Sequence, residues 1–364
     1  MNFNAPLLRP IRILLFPLSL VYGAIIWIRN RLFDKNWLQS TSFNLPIICI
    51  GNLSVGGTGK STMVEYLTYV LKDQMPLAIL SRGYKRKTTG YSLAGEKTTA
   101  LEIGDEPMQF HLKFPDVAVA VGEERIVAIP QLLHDKPETR TIILDDAFQH
   151  RTVKAGLNIL LTEYSNLFTR DWFLPTGDLR DEISSYRRAQ IIVVTKCPEN
   201  LDEAEKKAIV AEINPLPDQR VFFSTIKYGA PYHLTQKYNS AVRTNMEVLL
   251  VSGIANPAPL KEWLHDHSKA YYEMRYSDHH IFTIDDWKEI VKRFNSIETN
   301  DKIIITTEKD AVRLIKFEQE IKNLPLFVMP IEMRILFNEE EQFSEAVFQF
   351  INQFQSKNYN EQKT

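Results

Sequence analysis

The chain has little cysteine, no excess of positive charge and no uncharged run long enough for a regular membrane-spanning helix. Its two cysteines, Cys49 and Cys197, lie inside or at the end of apolar runs. Such positions favour buried thiols in a reducing compartment over a disulfide framework. A formal net charge of −2 removes the general case for nucleic-acid binding, because that binding needs a basic surface. Cytosolic chemistry is therefore favoured.

What remains is the composition of an ordinary globular protein. The 364 residues are 44% hydrophobic and 24% charged, which is enough for one or two packed domains. We find no internal repeat and no low-complexity tract. Local sequence patterns therefore indicate the domains and secondary structure of the chain.

An uncharged apolar run occupies residues 13–28, with Arg9 and Arg12 before it and Arg29 and Arg31 after it. It is shorter than the roughly 20 residues that cross a bilayer as a helix, and it contains a proline and a glycine. Flanking arginines and internal aromatic residues suit a segment that lies in the headgroup region of an anionic leaflet. A buried core helix is the alternative. A signal peptide is disfavoured because no small-residue cleavage site follows.

After Pro46, short apolar runs alternate with helical patterns, and the runs are rich in β-branched residues as in buried parallel strands. Predicted strands cover residues 47–50, 77–80, 117–121, 141–144, 157–161 and 191–195. Helical patterns between them cover residues 61–72, 123–134 and 202–213. This βαβ series predicts a P-loop NTPase-like, doubly wound and mostly parallel sheet, with ligands at the carboxyl ends of its strands.

A second, smaller α/β domain is predicted beyond an irregular polar stretch near residue 230. Its predicted strands and helices cover residues 247–251, 302–306, 260–267 and 285–294. Apolar residues at helical spacing between 339 and 354 predict a final helix that packs on a core. We therefore divide the chain into a membrane-associated segment (1–36), a P-loop core (37–229) and a second domain with the final helix (230–364).

The strongest motif is GNLSVGGTGKS at residues 51–61, directly after a predicted strand and directly before a predicted helix. In this setting glycines let backbone N–H groups wrap phosphates, Lys60 supplies positive charge, and the Ser61 hydroxyl can ligate Mg²⁺. The strict pattern has glycine at the position of Ser54, but the glycines that follow can supply the tight backbone. The predicted nucleotide-binding residues are Ser54, Val55, Gly56, Gly57, Thr58, Gly59, Lys60 and Ser61.

A triphosphate site also needs a carboxylate at the end of a neighbouring strand. Asp145 and Asp146 directly follow the predicted strand 141–144 and are the expected magnesium arm, together with Ser61. Paired aspartates after a strand can also be a turn or a helix cap. Beside a phosphate loop, the metal-binding interpretation is favoured.

Three further segments leave a structural alternative open. Asp105 in GDEP (104–107) opens a helical pattern, and by spacing alone it is best explained as a helix cap. The histidines of SDHH (277–280) suit a core or a surface equally well, and TEKD (307–310) suits a helix start. In VVTKCP (193–198), proline replaces the aspartate with which GTPases read guanine, so ATP is the better nucleotide.

Taken together, these motifs resemble those of the tetraacyldisaccharide 4'-kinase family of Gram-negative bacteria. The matching segments, in the order of the family, are GNLSVGGTGKS (51–61), SRGY (81–84), GDEP (104–107), DDAFQH (145–150), LPTGDLRD (174–181), DHHIF (278–282) and TEKDAVR (307–313). They cover nearly the whole chain. Ala147 stands where the family usually has glycine, and Asp178 stands where it usually has proline.

The resemblance implies transfer of the γ-phosphate of ATP, with Mg²⁺, to the 4'-hydroxyl of a tetraacyldisaccharide 1-phosphate. It places the protein at the cytoplasmic face of the inner membrane. We expect no nucleic-acid partner and no obligate protein partner. It makes Asp105 and His279, with Lys60, the catalytic residues, and His150 and Arg180 weaker candidates for holding substrate. The competing hypothesis is a membrane-associated nucleotide switch that hydrolyses ATP without a small-molecule acceptor.

Overall fold

The computed structural model describes the backbone of residues 9–361 and the side chains of residues 12–354. Residues 1–8 of the predicted amino-terminal segment and residues 362–364 of the tail lie outside the described residues. The helices are α1 (Arg9–Leu14), α2 (Phe16–Asp34), α3 (Lys60–Leu71), α4 (Ala100–Ile103), α5 (Asp105–Lys113), α6 (Arg125–Asp135), α7 (Glu203–Ile213), α8 (Ala258–His267), α9 (Ile284–Asn295), α10 (Glu308–Leu314), α11 (Glu318–Ile321) and α12 (Glu340–Glu361). The strands are β1 (Ile47–Asn52), β2 (Leu77–Ser81), β3 (Ser92–Leu93), β4 (Ala118–Val121), β5 (Thr141–Leu144), β6 (Leu157–Glu163), β7 (Ile191–Thr195), β8 (Arg220–Tyr228), β9 (Tyr232–His233), β10 (Glu247–Ser252), β11 (Ala270–Arg275), β12 (Lys302–Thr307), β13 (Leu326–Met329) and β14 (Ile331–Ile335).

A nine-stranded sheet forms the larger unit, in the order β14-β8-β7-β6-β1-β5-β2-β4-β3. Its strands run parallel except for the two at the edges, β14 and β3, which are antiparallel to their neighbours. The predicted mostly parallel sheet is confirmed. Strand β1 lies between β5 and β6, so the carboxyl ends of β1 and β5 are adjacent. This adjacency brings the glycine-rich segment next to the paired aspartates.

Both faces of this sheet are covered, which explains the continuous apolar runs of its strands. Along β1, Ile47 and Cys49 join one core, whereas Ile48 and Ile50 join the core on the opposite face, because side chains alternate along a strand. Cys197 lies in the same core as Cys49, and both thiols are free and buried. The predicted buried thiols are confirmed.

The smaller unit is a five-stranded sheet in the order β11-β10-β12-β13-β9, parallel except for β9. Helix α8 connects β10 to β11, and α9 connects β11 to β12. Trp287, Ile290 and Phe294 of α9 are buried against this sheet at helical spacing. The strands and helices predicted between residues 247 and 306 are confirmed.

The carboxyl-terminal part of the chain returns to the first sheet. Strand β14 pairs with β8, and Phe343, Val347 and Ile351 of α12 are fully buried in a core of the larger unit. The predicted second domain (230–364) includes residues 331–361, whereas in the structure β14 and α12 join the larger unit. Helical spacing reveals that α12 has an apolar face but not which sheet that face covers.

Helix α2 contacts the rest of the protein through buried polar residues. Ser19 donates to Thr176 (2.7 Å) and the Asn30 amide donates to Asp181 (2.8 Å), and both helix residues are buried. Gly23 allows this close packing, because a Cβ there would lie 2.8 Å from the ring of Phe173. The run at residues 13–28 is therefore not a buried core helix.

The opposite side of α1 and α2 carries apolar side chains that are each more than half exposed. We call this set the apolar face; it consists of Ile13, Leu14, Leu18, Leu20, Val21, Ile25, Trp27 and Ile28. Among residues 9–361, none of the helices combines the length and the hydropathy that crossing a membrane requires.

Candidate active site

The glycine-rich segment forms a loop between β1 and α3, and α3 begins at Lys60. Gly56 (φ 113°) and Gly59 (φ 83°) adopt left-handed backbone conformations that favour glycine. Ser54 is not among the residues with positive φ, and its backbone pairs with that of Leu179. The backbone at residue 54 therefore does not require glycine, which accounts for the departure from the strict pattern.

Contacts from three directions hold this loop in place. Thr58 accepts a hydrogen bond from Asn52 (2.9 Å), and the backbone carbonyl of Thr58 accepts one from the Thr195 hydroxyl (2.9 Å). The backbone N–H of Val55 donates to the carbonyl of Asp178 (2.7 Å). Because the contact at Asp178 uses the main chain, the aspartate in place of the usual proline leaves it intact.

Asp145 and Asp146 follow β5 and lie in different electrostatic environments. Asp145 is buried and accepts from the Ser81 hydroxyl (2.9 Å). Burial, with the charges of Glu106 and Asp146 nearby, raises the pKa of Asp145 to about 7. Two neighbouring acids inside the protein thus make the ionised form of Asp145 costly.

Asp146 is paired with cations. Its carboxylate lies 3.7 Å from the Lys60 ammonium and binds the Arg180 guanidinium through two hydrogen bonds. Burial alone would raise the pKa of Asp146, but Lys60 and Arg180 outweigh it and lower the value. Burial also lowers the pKa of Lys60, and Asp146 opposes that shift. The φ of Asp146, 47°, is left-handed, a conformation found at functional sites.

Glu106 links the phosphate loop to the second unit. Its carboxylate accepts from the Ser61 hydroxyl (3.0 Å) and from the Lys309 ammonium (2.7 Å) of α10. Burial opposes ionisation of Glu106, yet the charge and hydrogen bond of Lys309 keep its pKa below the ordinary value. Both residues lie within the GDEP and TEKD motifs, but the motifs alone predict no role for either. The positions of Glu106 beside Asp105 and of Lys309 in TEKD are the signals that could have identified them.

Asp105 does not cap its own helix, so the capping interpretation is wrong. Gly104 is the residue before α5, and no side chain caps this helix end. Instead, Oδ2 of Asp105 lies 2.8 Å from Nδ1 of His279 and 2.6 Å from Nη2 of Arg313. Burial favours the neutral acid, but hydrogen bonds from His279 and Arg313 outweigh it and lower the pKa of Asp105 to about 2.

The other two ambiguous segments have separate outcomes. Thr307 caps the start of α10, because its hydroxyl accepts from the backbone N–H of Asp310 (3.2 Å), so TEKD is a helix start as one alternative proposed. His279 reaches Asp105 with a left-handed φ of 63°, whereas His280 pairs with Asp286 (3.0 Å). Only the first histidine of the pair therefore contacts Asp105.

The two weaker substrate candidates lie around Asp145 and Asp146. Arg180 contacts Asp146, and a further hydrogen bond joins it to the side-chain oxygen of Asn52. Burial, with the positive charges of Arg125 and Arg82, lowers the pKa of His150 to about 4. His150 is therefore neutral at physiological pH and lies among cations.

Comparison with known proteins places this geometry in one family. Residues 11–352 match the family model described as tetraacyldisaccharide-1-P 4'-kinase. Similar relatives with that enzyme name come from Bacteroides thetaiotaomicron, 44% identical over 93% of this chain and 92% of that protein, and from Flavobacterium johnsoniae, 44% identical over 94% and 97%. The crystal structure of LpxK from Aquifex aeolicus in complex with ATP superposes with a TM-score of 0.74 at 28% identity, covering 94% of this chain and 99% of that one. These matches support the kinase and not the nucleotide switch, and the chain belongs to the tetraacyldisaccharide 4'-kinase family.

Proposed function

We propose that this protein transfers the γ-phosphate of ATP to the 4'-hydroxyl of a tetraacyldisaccharide 1-phosphate. The observation that best supports this proposal is the contact between Asp105 and His279. The pair lies beside the phosphate loop, because Glu106, the residue after Asp105, binds the Ser61 hydroxyl. A switch that only hydrolyses ATP needs no carboxylate for an acceptor hydroxyl. The two relatives named above, which match 93% and 94% of this chain, carry the kinase name.

In this proposal the loop at residues 54–61 binds the phosphates of ATP. Backbone N–H groups at the start of α3 and the Lys60 ammonium offset the charge of the transferring phosphoryl group. Asp105 accepts the proton of the acceptor hydroxyl as the oxygen attacks the γ-phosphorus, and the bond from that phosphorus to the bridging oxygen breaks so that ADP leaves. Both His279 and Arg313 bind Oδ2 of Asp105, so we assign Oδ1 to the acceptor.

The Ser61 hydroxyl and the two carboxylates after β5 are the ligands that we propose for a divalent cation. Ser61, Asp145 and Asp146 would hold Mg²⁺, whose charge would stabilise the ionised form of Asp145 that burial and neighbouring acids oppose. When bound, Mg²⁺ would neutralise part of the negative charge of the ATP phosphates. Among the side chains that the structure describes, no group of three or more His, Cys, Asp or Glu could hold a metal ion. In the proposed site, nucleotide phosphates would supply further ligands.

We assign His150 and Arg180 to the acceptor, which carries a phosphate of its own. His150 lies near the charges of Arg125 and Arg82, and Arg180 adds a guanidinium next to Asp146. Neutral His150 can donate one hydrogen bond to an anion without the cost of a further buried charge.

The apolar face is the surface that we propose meets the bilayer at the cytoplasmic side of the inner membrane. The exposed indole of Trp172 extends it and packs against Phe16 with ring centroids 5.4 Å apart. An exposed apolar strip of this kind marks an interaction surface, and a lipid acceptor has to be met at the membrane. Docking would be peripheral or monotopic.

The test is incubation of the purified protein with γ-labelled ATP, Mg²⁺ and a tetraacyldisaccharide 1-phosphate in mixed micelles. Label is expected in the lipid product at the 4'-position, and ATP consumption is expected to depend on the acceptor. The Lys60→Ala variant serves as the matched control for contaminating kinases. ATP hydrolysis at the same rate with and without acceptor, and no labelled lipid, would favour the nucleotide switch.

A further inference from the structure

Helices α5 and α10 belong to different units and are joined by ion pairs along their length. Asp105 at the start of α5 pairs with Arg313 near the end of α10, and Lys113 at the end of α5 pairs with Glu308 at the start of α10. The two helices therefore run in opposite directions. Glu106 of α5 and Lys309 of α10 form a third ion pair (2.7 Å) between the two helices. Through α10, the second unit thus holds the helix that carries the proposed catalytic base.

We propose that Arg313 is a positioning residue for phosphate transfer, which holds the Asp105 carboxylate in register with His279. This inference rests on the proposed function of Asp105. Nη2 of Arg313 lies 2.6 Å from Oδ2 of Asp105 and 3.1 Å from Nδ1 of His279. A planar guanidinium with donors only fixes the orientation of a carboxylate that can only accept. With Oδ2 occupied by both donors, the carboxylate presents Oδ1 to the acceptor.

Arg313 of α10 is held through Asp310, which contacts the ends of two strands of the second sheet. Its Nη1 donates to Asp310 (3.3 Å), whose side chain is completely buried. Asp310 in turn accepts from the backbone N–H of Gly253 (3.0 Å), which follows β10, and from the hydroxyl of Thr307 (2.7 Å), which ends β12. The side chain of Arg313 is only 6% exposed. Two strand ends therefore determine where the guanidinium, and with it the Asp105 carboxylate, can lie.

The same contacts predict that Arg313 can be replaced without separating the two units. Glu106–Lys309 and Lys113–Glu308 remain in place, and Lys113 also binds Glu65 of α3 (2.7 Å). Val312, next to Arg313, packs with Ile103 and Met108 in a small apolar core that the substitution does not touch. An effect on turnover can therefore be distinguished from loss of folding.

The experiment compares Arg313→Gln and Arg313→Lys with the wild type and with Arg243→Gln as the control. Arg243 pairs with Asp301 (2.6 Å) on the exposed surface of the same unit, so its loss should leave turnover unchanged. We expect Arg313→Gln to lower kcat by about 10²-fold, the scale of a misplaced catalytic group, with KM for ATP changed by less than about threefold. Arg313→Lys should recover part of the loss, because an ammonium can still bind Oδ2 but cannot also hold Asp310 in the same geometry.

Asp105→Asn, measured in parallel, separates the two proposals. If Asp105→Asn is inactive and Arg313→Gln has a normal kcat, the positioning role is wrong and the proposed base stands. If Asp105→Asn has near-normal turnover, the assignment of the base itself is wrong. If Arg313→Gln and Arg313→Lys lose kcat equally and neither unfolds cooperatively on heating, the role of Arg313 is structural instead. A double variant, Asp105→Asn with Arg313→Gln, should be little worse than Asp105→Asn, because residues that act as a unit are not additive.

Discussion

Asp105 and His279 are 174 positions apart in the sequence, and their side chains lie 2.8 Å apart at the junction of the two sheets. The histidine reaches this position from the segment after β11 with a left-handed backbone, and Asp105 reaches it from the first residue of α5. A contact of this kind exists only when the two units are packed together. Movement between the units would therefore control whether the proposed base is oriented.

We predict that Asp105→Asn lowers kcat by about 10²-fold or more, the usual scale for a positioned base, and changes KM for ATP much less. The amide keeps the shape of the side chain but cannot take a proton. Since Asp105 makes no capping hydrogen bond, the substitution removes no stabilisation of the start of α5, and the melting temperature should change little for that reason. His279→Ala should also be damaging, and the double variant should be little worse than Asp105→Asn. Steady-state kinetics and melting curves of the same preparations provide the check, and a nearly normal kcat in Asp105→Asn would rule out the base.

Lys60→Ala and Ser61→Ala are expected to lose nearly all turnover while remaining folded. Lys60 places its charge at the phosphate loop, and the Ser61 hydroxyl contacts Glu106 (3.0 Å) beside the proposed metal position. Neither side chain belongs to the apolar cores of the described residues. Turnover at saturating ATP, together with circular dichroism, tests this, and wild-type turnover by folded Lys60→Ala would refute the loop assignment.

The apolar face is expected to determine membrane binding. We predict that the double variant Val21→Glu and Ile25→Glu floats much less with vesicles that contain anionic lipid, because charged side chains oppose entry into the headgroup boundary. Both residues are well exposed, at 60% and 58%, so the fold should tolerate the change.

The matched control is Tyr69→Glu, since Tyr69 is 72% exposed on α3, away from the apolar face. Point variants are preferable to deletion of the segment, because Tyr22 donates to the carbonyl of Arg180 (3.1 Å) and Asn30 to Asp181 (2.8 Å). Deletion would disturb the substrate candidate Arg180 as well. Equal flotation of the double variant and the wild type would point to another docking surface.

A buried carboxyl group at the contact between the units predicts a pH dependence of stability. Glu65 accepts from Gln109 (2.6 Å) and Lys113 (2.7 Å), and burial, with Glu308 nearby, raises its pKa from 4.5 to about 7. Between these two values the folded state binds more protons than the unfolded chain, so this group makes the free energy of unfolding fall as pH rises.

Glu65→Gln removes the titrating group with little change in volume. From about pH 5 to about pH 8, the free energy of unfolding of the wild type should decline relative to that of the variant. Urea denaturation of both proteins at a series of pH values measures the difference. The shift of Asp145 is present in both proteins and cancels in the comparison. A difference that does not change with pH would mean that Glu65 is ionised in the folded state throughout.

Local sequence patterns are sufficient to predict several parts of this protein. Buried parallel strands such as β1, β5 and β7 could be predicted because β-branched apolar runs are typical of strands covered on both faces. The phosphate loop could be predicted because its strand, glycines and helix are consecutive in the chain. Resemblance to a family added Asp105 and His279, which spacing alone left as a helix cap and an unassigned histidine.

Contacts between residues that are distant in the sequence could not be predicted in this way. Helical spacing in α12 could not show that it covers the first sheet, and the apolar run of α2 could not show that its polar side faces inward. The pairing of β14 with β8 and the partners of Asp105 likewise depend on contacts between distant parts of the chain. A local pattern specifies which face of a helix or strand is apolar or charged. The element against which that face packs is selected by the burial and charge pairing of the whole folded chain, and no single segment contains that information.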